Sequence, residues 1–307
     1  MQKNTKNGLS VVICTRNRQK DLQKCIDSLA EQKIDDISVP IEIIIIDDGN
    51  LTEETIDQFE SQLSPRFSFR YHQKSDPGLI FSRVESIKLA SYEIMLFIDD
   101  DIELFPNYLS TLYKTYLKNP DVVGVGGVDQ FINSRRKWKF FGMIIGYHSG
   151  NCGKLSKSGY GGSMQEWIKI KEAFQTEYLS GCNMSFLKGT LAGLKPTEWL
   201  TSYSLGEDLY LSLYANKRGP LLINPDLKVL HHQSQASRDK VETVAYTEVV
   251  NHYHLLNYTD NNFSRKIYQL YTASGLFLKS LIQRKHRNKA KGYFKGILYV
   301  ARNLYKT

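Results

Sequence analysis

The sequence predicts an α/β fold organised on a central, mostly parallel sheet, and three observations carry that expectation. Apolar runs at residues 9–14, 41–46 and 94–98 have the length and continuity of strands buried on both faces. Each is followed by a stretch with helical periodicity, so strand and helix alternate. Each also stops abruptly in polar residues: Thr15, Arg16, Asn17 and Arg18 after the first, Asp47-Asp48-Gly49-Asn50 after the second, Asp99-Asp100-Asp101 after the third. Open parallel sheets bind ligands outside the carboxyl ends of their strands, so these stops mark one edge of the sheet as functional.

The elements follow in order. Residues 19–32 read as a helix with Leu22, Ile26 and Leu29 on one face. Thr52 and Thr55 open a second helix, residues 67–72 a third strand, and residues 79–90 a helix leading into the 94–98 strand. Pro106 suits the first position of a helix reaching residue 118, with a further strand over 122–128. Residues 129–162 loosen into Arg, Lys, Gly and aromatics, where hairpins or an irregular insertion are expected, with 159–162 as a flexible piece. Regularity returns over 177–186. Leu205-Gly206-Glu207-Asp208 then opens a helix to about residue 218, closed by Gly219-Pro220. Residues 221–223 and 228–230 read as short strands before His231-His232, and beyond residue 240 the chain is helix-compatible to its end.

Composition narrows the class. A chain of 307 residues can bury a large core. No apolar run approaches the roughly 18 residues of a membrane span, and residues 1–8 are polar, so a cytoplasmic location is expected. Cys14, Cys25, Cys152 and Cys182 match neither a zinc pattern nor a disulfide framework and read as structural thiols. The net charge of +8 is uneven: after Asp260 there is no acid and there are eleven Lys and Arg, whereas residues 1–260 carry 29 basic and 32 acidic residues.

The junction at Asp99-Asp100-Asp101 carries the chemistry. If the backbone stays extended, Asp99 and Asp101 point to one side and Asp100 to the other. Two carboxylates that close raise each other's pKa unless a cation lies between them. The plain alternative is a solvated acidic turn, with Asp as turn former and helix cap. Asp47-Asp48-Gly49 could likewise be only a turn, Glu207-Asp208 only first-turn acids, and His231-His232 structural. A Gly-x-Gly-x-x-Gly turn and a phosphate loop ending in Gly-Lys-Ser/Thr are both missing, which disfavours dinucleotide and P-loop chemistry.

Taken together, Ser-Val-Val-Ile-Cys-Thr-Arg-Asn-Arg, Ile-Ile-Ile-Ile-Asp-Asp-Gly, Phe-Ile-Asp-Asp-Asp, Gly-Cys-Asn-Met-Ser-Phe, Gly-Glu-Asp and His-His, in this order, resemble family 2 glycosyltransferases, inverting enzymes of the GT-A fold. The resemblance covers residues 9 to about 238. It implies a GT-A domain over 1–238, with a nucleotide-binding half (1–128) and an acceptor and catalytic half (129–238), followed by a basic, aromatic-rich helical extension (239–307). It implies that Asp48 bonds the nucleotide base, with Thr15, Arg16 and Asn17 lining the same donor pocket, and that Arg83 reaches the diphosphate. Asp101 is then the direct metal ligand, Asp99 the first acid of the D-x-D motif, and Asp100 a contact of ribose or sugar. Asp208, with Glu207 beside it, resembles the catalytic base, and one of His231 and His232 a metal or diphosphate ligand. A hard divalent cation, Mn2+ or Mg2+, suits such an oxygen-rich site. The helix N-terminus is expected to lower the pKa of Asp208.

The implied function is inverting transfer from a nucleotide-diphosphate sugar, a UDP-sugar first, to a hydroxyl of a glycan or lipid-linked acceptor in cell-surface polysaccharide synthesis. The competing class is a catalytically silent nucleotide-sugar or glycan-binding module on the same fold. A nucleotidyltransferase is disfavoured because its Gly-rich start is missing. Departures from the family pattern are Arg16, where relatives often stack an aromatic on the base, Arg83-Val84 in place of Arg-Asn, and Leu209-Tyr210 after Asp208. The basic extension, rich in Tyr and Phe, predicts peripheral contact with an anionic membrane at the inner face of the cell membrane, against a solvated helical cap or a homo-oligomer contact. Nucleic acid is not expected as a partner, because the body is slightly acidic.

Overall fold

The apolar runs form strands buried on both sides: β1 (Leu9–Thr15), β2 (Ile41–Asp47) and β4 (Ile94–Asp99), with the shorter-lived apolar pattern of β3 (Ser68–Gln73) at one side. The computed structural model describes residues 7–75, 77–132, 136–200, 205–233, 240–259, 262–283 and 287–305. Helices α1 (Gln19–Ala30), α2 (Glu53–Leu63) and α3 (Leu79–Leu89) connect these strands. Thr52 caps α2 by accepting the amide of Thr55, as its position before an apolar-periodic run predicts. The strands pair in parallel, β3-β2-β1-β4, because each crossover is a helix long enough to return the chain to the same edge.

Beyond β4 the chain continues through β5 (Ile102–Leu104), α4 (Tyr108–Lys118), β6 (Gly124–Asp129), α5 (Arg136–Ile144), α6 (Met164–Trp167), β7 (Phe174–Thr176), β8 (Asn183–Leu187), α7 (Glu207–Asn216) and β9 (Leu221–His231). Among the described residues one nine-stranded sheet results, in the order β3-β2-β1-β4-β8-β6-β9-β5, with β7 also paired to β9. Six strands, β1, β2, β3, β4, β6 and β9, run one way, and β5, β7 and β8 run against them. Of the antiparallel members, β5 follows a turn after β4 and β8 a short irregular loop after β7, both without a helical crossover, whereas β7 follows the insertion that contains α5 and α6.

Four local expectations differ from what forms. Helix α4 starts at Tyr108, because Pro106 sits in a turn whose carbonyl accepts the amide of Lys33. The two short strands expected at 221–230 are one strand, β9, with a register irregularity opposite Gly126 and Val128, where Asn224-Pro225-Asp226 passes. The regular stretch expected over 177–186 is strand only from Asn183. The insertion after residue 129 contains a helix, α5, packed through Trp138 and Phe141 on the C-terminal segment.

That segment forms α8 (Val241–Thr259), α9 (Phe263–Ile282) and α10 (Arg287–Asn303) around Ile145, Tyr160, Ala245, Val249, Tyr253, Ala273, Leu276, Tyr293 and Val300. Helix α10 approaches α8 through Gly292 and Gly296; a Cβ at Gly292 would lie 2.1 Å from the Glu242 carbonyl. None of the described helices is long and apolar enough to cross a membrane.

His252 of α8 stacks on Tyr160 at 3.8 Å and donates Nδ1–H to the Glu248 carbonyl. Burial lowers its pKa from 6.5 to about 4. The unfolded chain then takes up a proton that the native state refuses, so stability is full above pH 6.5 and falls as pH drops toward 4. The loss expected from this group is about 3 kcal/mol. Chemical denaturation of the native chain and of His252→Gln between pH 7 and 4 checks it: the difference between the two should shrink by that amount.

Candidate active site

The carboxyl ends of β1, β2, β4, β6 and β9 lie at one edge of the sheet and deliver Thr15, Asp47, Asp99, Asp129 and His231 to it. A cleft of about 430 Å³ opens there, lined by Thr15, Arg16, Arg18, Asp48, the three acids Asp99, Asp100 and Asp101, and by Gly181, Glu207, Asp208 and His231. The floor is therefore made from strand ends, and one wall from the start of α7.

The three acids separate as an extended chain predicts, although β4 ends at Asp99 and the next two residues form a turn. Asp100 is buried, takes the Thr15 hydroxyl at 2.7 Å and pairs with Arg18 at 3.1 Å. Burial raises its pKa to about 6, against the pull of Arg18 and Thr15. Asp100 thus holds β1 to the motif, and its carboxylate is engaged by protein groups where a ribose or sugar contact was expected. Asp99 and Asp101 turn the other way, toward His231; one ligand atom of each lies within 4.8 Å of the others.

Strand pairing decides which histidine joins them. Ile102 of β5 is registered opposite His231 of β9, and the His232 amide donates to the Asp101 carbonyl at 3.0 Å. Successive side chains on an extended chain alternate, so only one of the pair can face Asp101. His231 Nε2 lies 3.2 Å from Asp101 Oδ1. His232 faces away and bonds Glu103 at 2.7 Å beside the Phe131 ring, so it is not placed to join the metal group. Burial would lower the pKa of His231, but hydrogen bonds to Asp101 and Cys182, with Asp99 near, raise it to about 11. The carboxylates thus demand a positive charge at this point, and two carboxylate oxygens with one imidazole nitrogen are a donor set that a divalent ion of the Mn2+ or Mg2+ kind accepts.

Arg83 departs from its expected place. It is 1% exposed, and its guanidinium bridges Glu207 Oε1 at 2.5 Å, Asp99 Oδ1 at 3.1 Å and the Gly181 carbonyl at 2.9 Å. Helix α3 buries Ser82, Arg83 and Ser86 toward the sheet, so the side chain runs under the cleft instead of into it. Glu207 is consequently a buried partner of Arg83, its pKa raised by burial. Asp208, the next residue in the first turn of α7, reaches the cleft and accepts the Leu209 amide at 2.8 Å. Burial raises its pKa as well, opposite to the lowering expected from the helix N-terminus, because desolvation outweighs the nearby amides and Arg83.

Asp48 lines the cleft with its carboxylate bonded to the Gly78 amide, the Ser82 hydroxyl and Lys74. Asn17 is not among the lining residues; it adopts a left-handed backbone, φ 56°, and packs its side chain on Gly49, bracing the turn after β2. Arg18, part of the polar stop after β1, pairs with Asp100, and two groups in the arrangement were not singled out from sequence: Lys74 on Asp48, and Asp129, which accepts the His231 amide at 3.2 Å. Asp129 had a visible signal, since it ends an apolar strand as Asp47 and Asp99 do.

Known proteins are similar to this chain in sequence over part of its length and in fold. Over 122 residues the chain is 31% identical to a glucosyl-dolichyl phosphate glucuronosyltransferase of Haloferax volcanii, covering 39% of this chain and 37% of the relative. Over 108 residues it is 33% identical to the GalNAc(5)-diNAcBac-PP-undecaprenol beta-1,3-glucosyltransferase of Campylobacter jejuni, covering 34% and 33%. The chain thus matches about a third of the length of these relatives. In fold it is similar to the mannosyltransferase PcManGT of Pyrobaculum calidifontis, solved with GDP-Man and Mn2+, at TM-score 0.57 and 12% identity over 97% of this chain and 87% of that one. GalNAc-T7 with UDP, GalNAc and Mn2+ aligns at TM-score 0.59 and 16% identity over 99% and 59%. A family model described as glycosyl transferase family 2 matches residues 10–189, more than half of the sequence, and with the GT-A architecture around it this chain belongs to that family.

Proposed function

We propose that the chain is a metal-dependent inverting glycosyltransferase that moves a sugar from a nucleotide-diphosphate donor, most readily a UDP-sugar, to a hydroxyl of a glycan or lipid-linked acceptor. The observation that carries this reading is the convergence of Asp99, Asp101 and His231 in the same cleft as Asp208. One end of the cleft can hold a cation and a diphosphate, and a carboxylate at α7 can take a proton. Bound between Asp99, Asp101 and His231, Mn2+ or Mg2+ would neutralise the charge that grows on the departing diphosphate.

The residues of the chain divide the remaining work. Asp48 and Thr15, at the ends of β2 and β1, border the space for a nucleoside, and Arg16 offers a planar cation to the base or a phosphate. Asp208 draws the proton from the acceptor hydroxyl as the sugar carbon is attacked from the face opposite the leaving group, which inverts its configuration. In this reading residues 1–128 supply the donor half and 129–238 the acceptor half. The relatives named for dolichyl phosphate and PP-undecaprenol substrates support a lipid-linked acceptor, and the reading places the reaction in cell-surface glycan synthesis.

Thermal unfolding with nucleoside diphosphate sugars, with and without Mn2+, tests the donor site. A UDP-sugar with Mn2+ at a hundredfold excess over its Kd should raise Tm by about 5 °C, and chelation or Asp101→Ala should remove the increase. An equal rise without metal, or an unaltered one in Asp101→Ala, would falsify the metal assignment.

A further inference from the structure

We propose that the face built by α5 and α9 is a docking surface for an anionic lipid bilayer. Its two helices belong to two basic stretches of sequence. Residues 130–165 contain no Asp or Glu and six Lys and Arg, and residues 261–307 contain no acid and eleven. The stretches are about a hundred residues apart in sequence, and the fold joins α9 to the end of α5 and the loop after it. The Tyr271 hydroxyl donates to the Ile144 carbonyl at 2.9 Å, that of Thr272 to the Ile145 carbonyl at 2.7 Å, and Arg265 to the Lys157 carbonyl.

The joined face is apolar where a soluble protein is normally polar. On α9, Ile267, Tyr271, Leu278 and Ile282 are all exposed, Ile282 by 80%. At 100° per residue these four fall within about 60° of one another, a single stripe. On α5, Phe140, Met143 and Ile144 are exposed, Phe140 by 67%. Between the helices a groove of about 740 Å³ is lined by Trp138, Phe141, Ile145, Leu278 and Ile282, with Lys137 and Lys279 at its margins. The Lys279 ammonium lies 3.4 Å from the centre of the Trp138 ring, and Lys157 lies over Tyr268 at 5.0 Å. Long basic side chains over aromatic rings beside an exposed aliphatic stripe are the pattern of a surface lying in the headgroup region.

Charge selects the occupant. A second copy meeting this face by a two-fold axis would set its own Lys137 and Lys279 against the same residues, like charge on like. An anionic bilayer offers the opposite sign to those lysines and hydrocarbon to the stripe. Two acids border the face, Glu166 paired with Lys139 and Lys169, and a half-buried Glu248 that accepts the Tyr293 hydroxyl with Lys279 and Lys289 near it, and the Lys and Arg of the two stretches outnumber them. On the far side of α10, Lys291 and Lys295 are turned to Glu242.

The assignment rests on α5 and α9 alone and stands apart from the transfer chemistry. Sedimentation of the full chain with vesicles of phosphatidylcholine, and of phosphatidylcholine mixed with phosphatidylglycerol, tests it. Binding should favour the mixed vesicles by at least about tenfold and weaken with salt. Leu278→Gln with Ile282→Gln should reduce it about tenfold or more, and Lys137→Gln with Lys279→Gln about thirtyfold, with circular dichroism and donor-dependent thermal stabilisation unchanged. Asp101→Ala should partition as the native chain does, which separates a failure of this surface from a failure of the donor site. Equal binding to both vesicle types, no binding to either, or a dimer in light scattering that Leu278→Gln with Ile282→Gln dissociates would each overturn the assignment.

Discussion

Replacing Asp208 by Asn should lower kcat for sugar transfer about a thousandfold while leaving donor affinity within about threefold. The side chain sits at the start of α7, reaches the cleft, and accepts the Leu209 amide. Asparagine has the same shape and can still accept that bond through its carbonyl oxygen, so the wall of the cleft should persist. It cannot take a proton. Burial raises the pKa of Asp208, which makes the carboxylate a stronger base than one in water and makes transfer fall as pH drops through the raised value. Asp99, Asp101 and His231, the proposed metal ligands, keep their side chains in the variant, so titration calorimetry of a UDP-sugar with Mn2+ should give nearly the native Kd. Steady-state kinetics supplies the other half of the test. A binding module would give no transfer in the native chain and no response to Asp208→Asn; loss of donor binding in the variant would assign the side chain to the nucleotide sugar instead.

The strand ends were legible in the sequence because burial leaves a plain record. Five isoleucines run from Ile41 through Ile46 with one interruption, Glu42, and the run stops at Asp47 because the chain reaches water there. The same logic pointed to Thr15 and Asp99 and could have found Asp129. The glutamate in β2 is itself informative: it is buried yet bonded to Ser10, Ser91 and Arg70, a local polar lock inside an apolar layer.

What the sequence left open depends on register and on long-range packing. His231 and His232 are equivalent as letters, and only the pairing of Ile102 with His231 turns one toward Asp101 and the other toward Glu103. Asn17, adjacent to Arg16, leaves the cleft because its backbone is left-handed and its side chain packs on Gly49. The antiparallel strands β5, β7 and β8 are short, and the run before Asn183 has strand-like composition without strand pairing. Their partners are fixed by contacts with β9, β6 and β4 that no local pattern records. The lowering of the Asp208 pKa expected from the α7 N-terminus does not hold, because burial in the cleft wall raises it by more than the nearby amides lower it.

Arg83→Met should destabilise the fold by about 3–5 kcal/mol, more than any surface change in the cleft. The guanidinium is buried and joins three things that are far apart in sequence: Glu207 on α7, Asp99 at the end of β4, and the carbonyl of Gly181 before β8. Methionine fills much of the same volume and leaves Glu207 buried without its cation, a cost that burial alone has already raised. Arg83→Met with Glu207→Gln should recover at least about 1 kcal/mol in urea denaturation, because a neutral amide no longer requires the charge. Activity separates structure from positioning. In the stabilised double variant Asp99 and α7 are no longer tied to one planar group, so kcat should stay depressed while the donor KM changes little. Arg83→Lys should behave similarly, since an ammonium cannot fork between two carboxylates and a carbonyl as a guanidinium does. If Arg83→Met instead kept full stability and raised only the donor KM, the side chain would have to swing out to the diphosphate when donor binds. The buried bridge would then describe only the ligand-free cleft.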